Sequence, residues 1–442
     1  MDAPRDVHSG EKRYDSVDLS SLAFWSQTAE ERERSFALLR AERPVSWHRP
    51  VEGRLLPDPD DTGFWAVVRH EDIVTVSRRS DLFSSSAGVL LENIPEGVVE
   101  GSQSLLAMDP PRHTKIRRLV SGAFTPRHIL GMRQGIEAHA RRIVAELAHH
   151  PDGRADFMRD CASLLPMRVI SDVMGIPREW QDTVAATVSQ SISGTDGEDG
   201  GDGEDGESGE DGESGHGQSP LELLVEGHRR LRDMALNLAG LRRDRPAQDL
   251  MTVLVQAEVD GDRLTDDDIA DFFLLLCLAG NDSTTLTIGH GLRLLTDLPE
   301  QRAWLLADLD GRIGSAVEEI LRYATPVLTF RRTAVAPTRL GGRHIAAGDK
   351  VVMFYASGNR DAAVFREPDR FDLARDPNPQ LSFGGGGAHY CLAAQLARAQ
   401  LRILFRELLR VLPDIEAGEP EFVTGTSIHG MTRLPCRFTP PS

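Results

Sequence analysis

The strongest pattern along the chain is a stretch, residues 269–295, in which apolar side chains recur at helical spacing. Thr265 with Asp268 three residues on opens it as a capping box, and Pro299 closes it. The pattern predicts a helix of roughly 30 residues, about 45 Å long, enough to cross a domain of this size. Helical periodicity also runs through residues 111–191, 221–241, 249–258 and 392–412. Strand-like sequence is confined to 45–75, 327–353 and 421–439, as in Phe64-Trp65-Ala66-Val67-Val68. No internal repeat is visible. The reading is one mainly α domain with small β regions over residues 21–442, preceded by a loose arm over residues 1–20.

Two places break the pattern. The middle of the long helix reads Ala279-Gly280-Asn281-Asp282-Ser283-Thr284-Thr285. A glycine, an acid and three hydroxyls weaken a buried helix or bury polar groups at a cost. Either they face a polar patch on a neighbouring helix or they do chemistry, since local rules are often broken at functional sites. The second break is Phe383-Gly384-Gly385-Gly386-Gly387-Ala388-His389-Tyr390-Cys391, followed at once by helical sequence. Four glycines let the backbone turn tightly and approach a flat ligand, because no Cβ stands in the way. A helix N-terminus favours the thiolate over the thiol, so Cys391 is a candidate axial ligand for iron. Two plainer readings stay open: a buried cysteine beside a flexible loop, and a phosphate cradle. The cradle would want Lys-Ser/Thr after the glycines, and this run has neither.

Composition narrows the setting. The four cysteines (161, 277, 391 and 436) lie far apart in the 442 residues and form no C-x-x-C pair, which disfavours a disulfide framework or a zinc site. The N-terminus has no apolar core of a secretory signal, and the longest apolar run, residues 272–279, is far below a membrane span. These features predict a cytoplasmic protein with no membrane span. Net charge is −18, but residues 196–213 hold ten acids and no base; without them the chain carries −8. This low-complexity insert, taken as 195–218, is expected to be disordered between two helices. No basic stripe argues for nucleic acid.

Taken together, the motifs resemble the cytochrome P450 family, the haem-thiolate monooxygenases, over residues of about 20 to 439. The resemblance implies that Cys391 ligates the iron of haem b, the setting in which a cysteine thiolate favours O–O cleavage. The family loop has seven steps from phenylalanine to cysteine and here there are eight; Ala393 replaces a common glycine. By resemblance, His113, Arg117, Arg332 and His389 meet the two haem carboxylates, and Ala279 lies against the haem. Asp282 and Ser283 match the acid–alcohol pair that delivers protons to dioxygen, the cosubstrate. Serine stands where threonine is usual and loses the methyl that restricts χ1, so Thr284 or Thr285 are candidates to share the role. Glu319 and Arg322, with Arg370, match a structural Glu–Arg–Arg cluster. Leu275, Ala279, the loop 86–107, Val327, Leu328 and Ile428 would line the substrate pocket, with the insert joining two lid helices.

The function so implied is hydroxylation of a C–H bond in a terpenoid, steroid or polyketide-like molecule. Electrons would come from a separate ferredoxin and its reductase, to a monomeric enzyme. The alternatives are an epoxidase or oxidative-coupling enzyme of the same fold, and a haem-binding sensor or carrier.

Overall fold

The computed structural model describes residues 12–52, 59–92, 104–193, 220–259 and 261–441. The acidic insert and residues 93–103 of the loop 86–107 lie outside the described residues. The central helix spans Asp266–Asp297, and both halves of its capping box form: Thr265 Oγ1 accepts from the Asp268 N–H at 3.1 Å, and the Asp268 carboxylate accepts from the Thr265 N–H at 3.0 Å. Helices Leu164–Met174, Pro220–Asp244, Leu309–Ala324 and Ala394–Val411 pack around it. It is long and apolar enough to cross a membrane by composition, and most of it is buried inside the protein.

Glycines set the closest approaches to this helix. A Cβ on Gly280 would lie 2.8 Å from the Ile170 side chain, and one on Gly291 would lie 2.4 Å from the Phe405 ring. Gly280 is thus where the helix Leu164–Met174 crosses.

The expected helical stretch 111–191 resolves into Arg112–Ser121, Pro126–Ala148, Leu164–Met174 and Arg178–Ser193. A strand, Arg154–Asp156, and a π-helical turn, Met158–Ala162, interrupt it. The strand exists because Pro435–Arg437 pairs with it, Cys436 opposite Ala155. Three residues are too few for an alternation to show in sequence.

A five-stranded sheet joins strands from residues 45–84 to strands from residues 329–354, in the order Val45–His48, Phe64–Val67, Lys350–Phe354, Thr329–Ala334, Phe83–Ser84. Its register places Arg332 opposite Val351 and Arg331 opposite Val352. Successive side chains point to opposite faces of a strand, so the two arginines part.

The loose arm is corrected for its described part, residues 12–20. Tyr14 bridges to Trp47, Asp15 pairs with Arg43 at 2.7 Å, Lys12 pairs with Asp349 at 2.5 Å, and Leu19 is fully buried. Polar sequence concealed these partners, which lie in the sheet and beside it.

Candidate active site

The cysteine loop closes on itself through the Cys391 N–H, which donates to the Phe383 carbonyl at 3.0 Å. Gly384, Gly386 and Gly387 have φ of +93°, +93° and +77°, in the left-handed region that side chains avoid. Gly385 is needed for a different reason. A Cβ there would sit 2.6 Å from Ser77 Oγ and 3.0 Å from Val74 Cα, and one on Gly387 would sit 2.5 Å from the Ser77 carbonyl. The run is therefore pressed against the helix His70–Arg78.

Cys391 is partly exposed, whereas Cys161, Cys277 and Cys436 are buried. The following helix begins at Ala394, three residues beyond the sulfur. Burial pushes the Cys391 thiol up. The Ala393 N–H, Arg117 and Arg398 pull the other way without prevailing. The helix start that the sequence places directly at the sulfur is thus displaced from it. Among the described residues no group of three His, Cys, Asp or Glu is placed to hold a metal. A lone thiol suits an ion that brings its other donors with it.

Beside the loop, four side chains able to carry positive charge converge. The His113 and His389 rings lie 4.3 Å apart between centroids. Burial, with Arg117 and then Arg332 beside it, holds His113 down to about 4; burial, then Arg332 and His113, takes His389 to about 3. Arg332 is buried, with one guanidinium bond to the Arg331 carbonyl at 2.7 Å, and Arg117 donates to the Tyr390 carbonyl at 2.5 Å. Arg331 instead reaches the carbonyls of Ala87 and Gly88.

Both His113 ring nitrogens are buried without a protein partner. The carboxylate facing this group, Asp109, is occupied by the Ser84 hydroxyl and the Ser85 and Ser86 N–H groups. Two arginines and two imidazoles short of anions fit the two carboxylates of haem. Sequence reading missed Asp109 and Ser85, whose hydroxyl meets His389 Nε2 at 3.1 Å. An acid four residues before His113 was the available signal.

In the central helix, Ala279 is exposed although turns on either side are buried. Leu275, one turn earlier, is half-buried. Ser283 Oγ donates back to the Ala279 carbonyl at 3.1 Å, and Thr287 Oγ1 to the Ser283 carbonyl at 2.7 Å. Asp282 accepts from Asn281 Nδ2 at 3.0 Å. Thr284 is buried, and Thr285 Oγ1 is buried without a protein partner.

Val327 and Ile428 are joined by a β-bridge, which puts two of the expected pocket residues side by side. Leu328 is 4% exposed and belongs to the core of Phe36 and Phe354.

Glu319 and Arg322 are fully buried and paired twice at 2.8 Å. Arg370 is not their third member. Its exposed guanidinium lies 3.7 Å from Glu367, and it gives the cluster only its carbonyl. The third member is Arg375, whose Nε lies 3.1 Å from Glu319 Oε2. Arg375 also binds the carbonyls of Arg366, Glu367 and Arg370. Both arginines fall in Pro368-Asp369-Arg370-Phe371-Asp372-Leu373-Ala374-Arg375, and the turn between them decides which one points inward.

A model of the cytochrome P450 family matches residues 221–412. The methyl-branched lipid omega-hydroxylase of Mycobacterium tuberculosis is 38% identical over 96% of this chain and 95% of that protein. The steroid C26-monooxygenase of Rhodococcus jostii is 36% identical over 90% of this chain and 80% of its own length. The solved structure of the Mycobacterium marinum cytochrome P450 CYP268A2 in complex with pseudoionone has a TM-score of 0.89 and 53% identity, covering 97% of this chain and 100% of that one. The chain belongs to the cytochrome P450 family.

Proposed function

We propose that Cys391 ligates the iron of haem b, with His113, Arg117, Arg332 and His389 receiving its carboxylates. The observation that supports this most is the four-way meeting of anion-poor side chains, His113 and Arg332 buried and Arg117 and His389 half-buried, beside a partly exposed cysteine. The protein is a monooxygenase that hydroxylates hydrophobic substrates, as its relatives do. When bound, haem supplies dioxygen activation and transfer of one oxygen atom to a C–H bond.

The chain's own residues divide the remaining work. Ala279, Leu275, Val327 and Ile428 offer apolar contact to the substrate and exclude water. Asp282 and Ser283 hold and pass protons at their carboxylate and hydroxyl oxygens, with Thr284 the next hydroxyl along the helix. The names of the relatives favour a methyl-branched or steroid-like substrate. Electrons arrive from a separate ferredoxin and its reductase, in the cytoplasm, to a monomeric enzyme.

The test is the carbon-monoxide difference spectrum of the reduced protein. The thiolate band should vanish in Cys391→Ala and persist when Cys161, Cys277 or Cys436 is replaced by Ala. A thiolate band surviving in Cys391→Ala would overturn the ligand assignment. Soret-band titration with branched lipids and steroids then identifies the substrate class.

A further inference from the structure

Adjacent residues on a helix point about 100° apart and do not ordinarily meet. Asn281 and Asp282 do meet: the Asn281 amide donates to Asp282 Oδ1 at 3.0 Å. An ionised carboxylate only accepts hydrogen bonds, which fixes the amide with its nitrogen toward the acid and its oxygen away. That oxygen, Asn281 Oδ1, is buried and meets no protein donor. Thr285 Oγ1, four residues on and so on the same face of the helix, is likewise buried without a protein partner. Buried polar atoms are rarely left unpaired, and a water needs two or more polar groups to settle.

We infer that Asn281 is a positioning residue for Asp282, its amide held in register by a water bound between Asn281 Oδ1 and Thr285 Oγ1. Thr285 supplies a donor, Asn281 an acceptor, and the Asn281 nitrogen links this pair to the carboxylate. Asp282 is thereby held in one orientation while it hands on its proton. Gly280 next door belongs to the packing against Ile170. The polar run thus serves both readings left open by its sequence, helix crossing and chemistry. The inference rests on Asp282 being the relay acid.

The experiment compares Asn281→Leu, Thr285→Val and Asp282→Asn in the haem-loaded enzyme. It records product formed per NAD(P)H consumed, the solvent deuterium isotope effect on turnover, and substrate affinity from the Soret shift. Asn281→Leu and Thr285→Val are expected to lower coupling at least threefold and raise the isotope effect, with affinity within twofold of wild type. Thr285→Val is isosteric and keeps the test open if Asn281→Leu does not fold. Wild-type coupling and isotope effect in Asn281→Leu or Thr285→Val, alongside an impaired Asp282→Asn, would overturn the inference and leave the relay standing. A wild-type Asp282→Asn would overturn both.

Discussion

A buried carboxylate depends on all of its partners together. Glu319 meets Arg322, Arg375, the Asp372 N–H and the Asn378 amide, with no exposure of its own. Removing Arg375 leaves Glu319 its pair with Arg322 but strips a charge-assisted bond from the buried carboxylate and a donor from three carbonyls, which costs about 1–3 kcal/mol. Arg375→Ala should therefore lower unfolding stability by that order. Arg370→Ala, which disturbs only an exposed pair, should change it by less than about 1 kcal/mol. Urea midpoints of the two variants decide between them, and equal losses would restore Arg370 to the cluster. The motif around Glu319 and Arg322 was legible because its spacing is fixed by one helical turn. The third member lies past an irregular turn, where spacing carries no periodicity.

Among the elements, the central helix was the most legible, since a capping box, an apolar run and a proline all agree. Its glycines were not, because nothing local says which neighbour each one admits. Exposed glycine-to-alanine changes in a helix gain up to about 1 kcal/mol, whereas overpacking a core typically costs about 1–3 kcal/mol. Gly291→Ala would drive a methyl into the Phe405 ring and the Ile320 side chain, so the packing term wins and the helix loses stability. Gly314, in the helix Leu309–Ala324, has nothing within 4 Å of the same position; Gly314→Ala should stabilise by some tenths to 1 kcal/mol. Denaturant midpoints should move in opposite directions, and a shared direction would contradict the packing argument. Short strands such as Arg154–Asp156 were illegible for the complementary reason, that tertiary pairing makes them.

For the whole molecule, acid sensitivity follows from histidines folded in the neutral state. His48 is buried in the sheet, its Nε2 2.8 Å from Ser46 Oγ, its ring stacked on Phe64. Burial holds it down to about 4, against the pull of Asp15 and Asp18. The unfolded chain protonates His48 near pH 6.5 and the native one only near 4. Its contribution is therefore present above 6.5 and lost as pH falls toward 4, reaching a loss of about 2 kcal/mol at pH 5. His48→Gln cannot titrate, so its stability should fall by about 2 kcal/mol less than wild type between pH 7 and pH 5. Parallel pH slopes for the two proteins would refute the assignment. Asp72 and Asp271, each pushed up to about 6 by burial, act in the opposite sense, which is why the comparison uses the difference between proteins.

The glycine run before Cys391 bears on how such proteins can be rebuilt. Its backbone lies where side chains would collide with Val74 and Ser77, so the ligand loop and the helix His70–Arg78 form one shape divided between distant parts of the chain. A shorter loop from a relative, transplanted alone, would bring a backbone cut for a different floor. The exchangeable unit is the pair, and any redesign of the sulfur's surroundings has to move both pieces together.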